Sequence, residues 1–264
     1  MCELFAMSSR VETTVTISME TLARRGGDLG HLADGWGVGF YDGNDVRLFR
    51  EAAAAGESTL ARHIGSHPIR SGLVVAHLRH ATQGEVSLRN TQPFARELGA
   101  HMHLFAHNGR LPGIEAQFDG QWSRFRPMGS TDSEVAFCVL LERMASLWSG
   151  PIPALADRLA VVSQFARELR TLGPANFLYA DGDALFAHGH QRTQFDGRIA
   201  PPGLHTLARE CAVDPDALAG SGVLLGASQT VTLFASVPLT QEPWRALGAG
   251  EIVVVRAGLT TYPS

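Results

Sequence analysis

The chain has 264 residues, 45% of them hydrophobic and 18% charged, with a formal net charge of −4. This slight acidity, without Lys/Arg clusters, argues against nucleic acid or an anionic membrane as the main partner. No apolar run approaches the roughly 18 residues of a membrane helix, and the first twenty residues lack the pattern of a secretory leader. Three distant cysteines, Cys2, Cys138 and Cys211, favour a reducing compartment. We therefore expect a soluble cytoplasmic protein that folds as a single domain over residues 1–264.

The first half of the chain contains mainly strand patterns with two short helices. Strands are predicted in CELFAM (2–7), in two runs joined by a turn at 42–44 (35–51), in SGLVVAHLRHAT (71–82) and in HMHLFAHNG (101–109). Helices are predicted in SMETLARRGG (18–27) and STLARHIGSH (58–67).

Two longer helices follow, and then the strands return. Apolar residues recur at helical spacing in residues 130–148 and 151–173. NFLYADGDALFAHGH (176–190) is typical of a hairpin, and VTLFASV and EIVVVRAG are further strand patterns. A repeated parallel βαβ unit is not evident in this order. The order of strands, two helices and further strands predicts an α+β fold with layers of antiparallel sheet and helices packed outside.

Cys2 is the first candidate for chemistry. A thiol becomes a nucleophile only as a thiolate, which needs a neighbouring base. A cysteine at the true N-terminus carries that base itself, because an α-amine titrates near pH ~8. Removal of Met1 is favoured before a small residue. Taken alone, however, Cys2 is better explained as a buried structural cysteine.

Two polar segments could supply partners for this thiol. Arg79, at the end of a buried strand, needs a carboxylate from the protein or from a ligand. It precedes a polar loop that contains Thr82. The side-chain amide of Asn108 and the backbone N–H of Gly109 could together form an oxyanion hole. A salt bridge and a hairpin turn are the ordinary explanations of these two segments.

A helix start and several histidines complete the candidates. Thr131 and Glu134 match a capping box, which leaves Asp132 available to face a cationic group. The pairs His101/His103 and His188/His190 each fall on one strand face. They lack the accompanying ligands of a known metal motif, so we expect neither a metal nor another cofactor.

In combination, Cys2, LRHATQG, HNG and STDSEV resemble, in this order, the class II glutamine amidotransferase domain of the N-terminal nucleophile (Ntn) hydrolases. MCELF, DGWGVGFYDG and the absence of a following synthase domain look most like the small stand-alone bacterial members, the YafJ type. The resemblance implies a four-layer αββα sandwich, with two antiparallel sheets between helical layers. It also implies glutamine as the small-molecule substrate.

The resemblance also implies a role for each candidate. Cys2 would attack the carboxamide with its own α-amine as base, and Asn108 and Gly109 would hold the oxyanion. In the substrate pocket, Arg79 would bind the α-carboxylate and Asp132 the α-ammonium, with Thr82 beside them. Ammonia would leave from a thioester that water then hydrolyses, either unused or passed to an ammonia-accepting protein partner.

The sequence departs from the large synthases of this class at four positions. Glu3 and Leu4 replace the Gly-Ile that usually follows the nucleophile, and His80 and Gln83 replace a Trp and a His. Two alternatives therefore stay open. One is an amidase that cleaves another γ-glutamyl compound without ammonia transfer. The other is a non-catalytic or metal-binding protein that retains the fold.

Overall fold

The computed structural model describes residues 2–15, 34–80, 84–121, 123–212 and 228–262. Their helices are α1 Thr59–Ser66, α2 Ile114–Gln117, α3 Asp132–Met144 and α4 Leu155–Leu172, with a 3₁₀ turn at Leu88–Asn90. The predicted helix at 18–27 lies outside the described residues.

Seven of the described strands form the first sheet, in the spatial order β13-β11-β12-β1-β4-β2-β3. They are β1 Glu3–Val15, β2 Gly35–Asp42, β3 Asp45–Glu51, β4 Ile69–Arg79, β11 His205–Ala212, β12 Ser228–Ala235 and β13 Arg245–Ala246. All their pairings are antiparallel.

Six further described strands form the second sheet, which is also antiparallel, in the order β15-β14-β8-β7-β6-β5. They are β5 Phe94–Leu98, β6 His101–Gly109, β7 Ala175–Ala180, β8 Leu185–His188, β14 Ile252–Arg256 and β15 Leu259–Tyr262. A small hairpin of β9 Arg192–Thr193 and β10 Ile199–Ala200 stands apart from both sheets.

The strand alternation assigns successive side chains to different layers. In β1, Leu4 and Ala6 enter the core between the two sheets, whereas Phe5 and Met7 pack with Ile64 of α1 on the outer face. In the second sheet, alternate side chains of β6 and β7 pack against α3 and α4. The layers are therefore helix, sheet, sheet and helix, and the predicted αββα sandwich is confirmed.

Individual elements match the sequence patterns to different degrees. Helix α3 begins where predicted, with the Thr131 hydroxyl accepting from the Glu134 N–H at 3.3 Å. The predicted short strand at 2–7 continues to Val15. Strands β5 and β11 were not predicted. β11 buries only Leu207, so its sequence lacks the alternation that identifies a strand.

Candidate active site

Cys2 lies directly before β1, beside the last residues of β4. The register of these strands places Glu3 opposite Leu78, so that Cys2 comes next to the end of β4. The backbone N–H of His80 donates to the Cys2 sulfur at 3.3 Å, and the sulfur lies 3.5 Å from the His80 carbonyl oxygen. A backbone donor is thus directed at the atom that would carry the charge of a thiolate.

The surroundings of Cys2 nevertheless favour the neutral thiol. Burial raises the pKa of Cys2, and the His80 N–H and the positive charge of Arg79 offset only part of this increase. A raised pKa means that almost no thiolate exists at neutral pH. Nucleophilic attack from this position therefore requires a base close to the sulfur.

Asn108 and Gly109 stand at the end of β6 and line the same cavity as Cys2. The Asn108 amide nitrogen donates to the Cys2 carbonyl oxygen at 2.6 Å, and Ser236 Oγ lies 3.5 Å from the same nitrogen. The second contact is too long to be strong, so one N–H of this amide is available for another acceptor. The structure brings these three predicted residues together.

The backbone at Gly109 leaves no room for a side chain. A Cβ atom at this position would lie 1.9 Å from the carbonyl oxygen of Pro174. Only glycine fits between β6 and this carbonyl, which keeps the backbone of residue 109 exposed at the cavity surface.

Arg79 and Asp132 lie near the Cys2 cavity but do not line it. The buried Arg79 side chain donates to the Gly84 carbonyl at 3.2 Å. Asp132, the first residue of α3, accepts from the backbone N–H of Leu111 at 2.7 Å. Gly84 and Asp132 line a second cavity of about 450 Å³. Thr82 lies outside the described residues.

The two cavities are neighbours separated by the chain segment that follows Gly109. Arg110 lines the cavity of Cys2, Leu111 lines that of Asp132, and Pro112 lines both. A ligand that spans this segment could contact the predicted nucleophile with one end and Asp132 with the other.

The capping box at α3 is formed only in part. Thr131 caps the helix as predicted, but the Glu134 carboxylate accepts from the Gly129 N–H at 2.7 Å and pairs with Arg96 at 2.5 Å. Glu134 therefore anchors the segment before the helix and β5, instead of reaching back to Thr131.

The histidine pairs have other contacts. His103 bonds the Tyr179 hydroxyl at 2.7 Å and the Leu98 carbonyl at 3.1 Å, and His188 bonds the Ala175 carbonyl at 2.6 Å. Across the described ranges, no three His, Cys, Asp or Glu side chains converge in a group that could hold a metal ion.

A buried ion pair beside Cys2 was not predicted from the sequence. Glu3 and Arg192 of β9 are 2.7 Å apart, and both are almost fully buried. Arg192 also lines the Cys2 cavity. A charge such as that of Glu3 inside an apolar strand does indicate a buried partner. Because the two residues are 189 positions apart, the sequence does not show which residue that partner is.

Comparison with known proteins identifies the class of this site. Residues 1–263 match the family described as "Glutamine amidotransferases class-II". The chain is 37% identical over 252 residues to the Escherichia coli (strain K12) protein named "Putative glutamine amidotransferase YafJ", covering 95% of this chain and 96% of that one. It is also 31% identical over 156 residues to the "Gamma-glutamyl-hercynylcysteine sulfoxide hydrolase" of Mycobacterium tuberculosis, covering 59% and 58%. The chain belongs to the class II glutamine amidotransferase family.

Solved structures agree with this assignment. A crystal structure titled as a predicted glutamine amidotransferase from Pseudomonas aeruginosa superposes with a TM-score of 0.68 at 32% identity, covering 99% of this chain and 100% of that one. The glutamine phosphoribosylpyrophosphate amidotransferase of B. subtilis superposes with a TM-score of 0.56 at 17% identity over 98% of this chain and 48% of that one, which shows a shared fold. The fold is that of the Ntn hydrolases.

Within the described residues, no helix is long and apolar enough to cross a membrane.

Proposed function

We propose that this protein hydrolyses the side-chain amide of glutamine, with Cys2 as the nucleophile after removal of Met1. The observation that carries the proposal is the cavity that Cys2, Asn108 and Gly109 line together. Membership of the class II family implies a small-molecule substrate and supports a carboxamide as the group that is cleaved.

The α-amine exposed by removing Met1 would be the required base. It would take the proton of the Cys2 thiol while the sulfur attacks the amide carbon. The His80 N–H stabilises the sulfur before attack, because it donates to this atom. This arrangement accounts for a thiol whose pKa is otherwise raised.

The oxyanion of the tetrahedral intermediate would be stabilised by Asn108 and Gly109. One amide N–H of Asn108 is held by the Cys2 carbonyl, and the other, whose contact with Ser236 is long, would donate to the oxyanion. Collapse breaks the C–N bond, and the departing nitrogen takes the proton from the α-amine. Ammonia and a γ-glutamyl thioester result, and water then hydrolyses the thioester to glutamate.

The amino-acid end of the substrate would extend across Pro112 towards Asp132. In this scheme Asp132 binds the α-ammonium, Arg79 the α-carboxylate, and Thr82 lines the same pocket. Transfer of ammonia to a protein partner, a cytoplasmic location and a single-domain organisation stay predictions of the sequence.

The test is intact mass spectrometry of the full chain with and without a diazoketone analogue of glutamine. We expect loss of Met1, one adduct on Cys2, and glutamate release that Cys2→Ala lowers by more than about 10³-fold. Cys211→Ala is the matched control and should keep both the adduct and the activity. An unlabelled chain, or a C2A variant that still hydrolyses glutamine, would contradict the proposal.

A further inference from the structure

The cavity beside Cys2 is much larger than ammonia requires. It measures about 510 Å³, whereas a molecule of the size of water or ammonia occupies about 30 Å³ in the liquid. Cavities of a few hundred Å³ are typical sites for complete small molecules. Because the proposed pocket for the glutamyl end lies across Pro112, beside Asp132, this space is left for the departing amine.

The walls of this cavity combine apolar surface with the exposed arginine Arg110. Leu172, Pro174 and Ile199 supply apolar atoms. Arg192 is paired with Glu3, but no acidic side chain in the described part of the chain pairs with the Arg110 guanidinium. A leaving group that carries an apolar side chain and a carboxylate would fit both features.

Side-chain hydrogen bonds fix the cavity wall that is formed by Gln191 and the β9–β10 hairpin. The Asn176 amide donates to the Gln191 carbonyl at 2.7 Å and to the Asn108 carbonyl at 2.9 Å, which joins this wall to β6. Within the β9–β10 hairpin, the Gln194 amide donates to the Ala200 carbonyl at 2.6 Å. With the buried Glu3–Arg192 pair, these bonds hold the cavity open before a ligand binds, which lowers the entropic cost of binding.

We propose that this site accepts γ-glutamyl amides whose leaving group is an apolar α-amino acid, that is, γ-linked dipeptides such as γ-glutamyl-leucine. The inference rests on the proposed Cys2 chemistry. The sulfur forms the same thioester, the γ-amide C–N bond breaks, and leucine departs as the amine after taking the proton from the α-amine. Water then releases glutamate. The leucine carboxylate would face Arg110, and its side chain would contact Leu172 and Ile199.

The experiment measures kcat/KM of the processed full chain for glutamine, γ-glutamyl-leucine and γ-glutamyl-leucinamide. We expect γ-glutamyl-leucine to exceed glutamine by about tenfold or more. In Arg110→Gln the ratio of γ-glutamyl-leucine to glutamine should fall about tenfold, because a charge-assisted contact is lost. The ratio of γ-glutamyl-leucinamide to glutamine should stay constant, since this amide lacks the carboxylate.

Arg198→Gln is the matched control, because Arg198 is an exposed arginine in the turn of the β9–β10 hairpin. It should change none of the ratios. If glutamine is cleaved through Cys2 but γ-glutamyl-leucine is not, or if R110Q lowers all three substrates equally, the inference is wrong and the proposed function stands. If nothing is cleaved and Cys2 is not labelled, both are wrong.

Discussion

Two buried ion pairs in this protein have the same chemistry but different surroundings. The Arg158 side chain of α4 bonds Asp181 and Asp183 at 2.7 Å each, in the turn between β7 and β8. Glu3 and Arg192 are paired at 2.7 Å next to Cys2. The first pair joins a helix to its sheet, whereas the second joins a cavity wall to the residue after the predicted nucleophile.

The hydrogen bonds around the two carboxylates also differ. Asp181 accepts from Arg158 and from the backbone N–H groups of Asp183 and Ala184, so both of its oxygens are bonded. Both Glu3 oxygens face Arg192, at 2.7 and 3.4 Å, and the Ser236 side chain also bonds this carboxylate. A buried ion pair is weak evidence for net stability. We infer that Arg158–Asp181 has a structural role and that Glu3–Arg192 positions the cavity wall relative to Cys2.

The largest expected effect is acid destabilisation, which limits the pH at which the two pairs can be compared. Burial lowers the pKa of His77, His103 and His188 to about 3 each. The unfolded chain takes up these protons near pH 6.5, so the stability is fully present above that pH and is lost as the pH falls towards 3. At pH 5 each imidazole should cost about 2 kcal/mol.

Glu3 and Asp181 act with the opposite sign, because burial raises the pKa of each carboxyl and the folded state takes up their protons first. Their protonation on acidification stabilises the folded state, and we expect the three imidazoles to outweigh these two carboxyls. Urea unfolding at pH 5, 6 and 7 measures the sum. A free energy of unfolding that stays constant or increases on acidification would contradict this balance.

The next effect is that of Arg158→Met. Removing Arg158 leaves the Asp181 carboxyl buried without its cation, so we expect a loss of about 3–5 kcal/mol in the free energy of unfolding at pH 7. Because Arg158 contacts none of the residues around Cys2 that are described above, kcat/KM per folded molecule should not change. Urea unfolding and steady-state kinetics on the same samples test both parts. A loss below 1 kcal/mol would show that the pair contributes little.

The sequence predicted these regions unevenly, for physical reasons. Local signals were sufficient for α3, where Thr131 caps an apolar run, and for β6, whose side chains alternate between two cores. They failed at β11, in which only Leu207 is buried. The four-layer arrangement came from the resemblance to a family, since periodicity alone does not define the order of layers.

For the site, short motifs located the residues but not their contacts. Cys2 and Asn108 come together because β1 begins and β6 ends at the same cavity, and no local pattern encodes this contact. The Arg192 partner of Glu3 lies in a two-residue strand, too short to produce a periodic signal. Predicting this pair requires the tertiary fold.

Glu3→Gln should have a smaller effect on stability than R158M but a larger effect on catalysis. The amide oxygen can still accept one hydrogen bond from Arg192, but the second contact and the carboxylate charge are lost. We therefore expect a loss of about 1.5–3 kcal/mol, the range for a hydrogen bond to a charged group. The cavity wall would lose its ionic contact with β1, and we expect kcat/KM per folded molecule to fall about tenfold.

The rate of Cys2 labelling by the diazoketone, measured at a temperature where both variants are folded, separates the two roles. R158M should label at the wild-type rate and E3Q more slowly. If both variants label at the wild-type rate, Glu3–Arg192 is structural only, and the difference between the two regions disappears.

The smallest expected effect is that of Arg256→Met. Arg256 pairs with Asp183 at 2.7 Å, but its side chain is 55% exposed, whereas that of Arg158 is 1% exposed. Water screens an exposed pair, so we expect a change within about 0.5 kcal/mol and unchanged kinetics. R256M and R158M both remove a positive charge from Asp183, and they differ in the burial of the arginine and in its contact with Asp181. If R256M is as destabilising as R158M, the charge balance at Asp183 determines the stability of this region. If R256M is less destabilising than R158M, the desolvation of Asp181 determines the stability of this region.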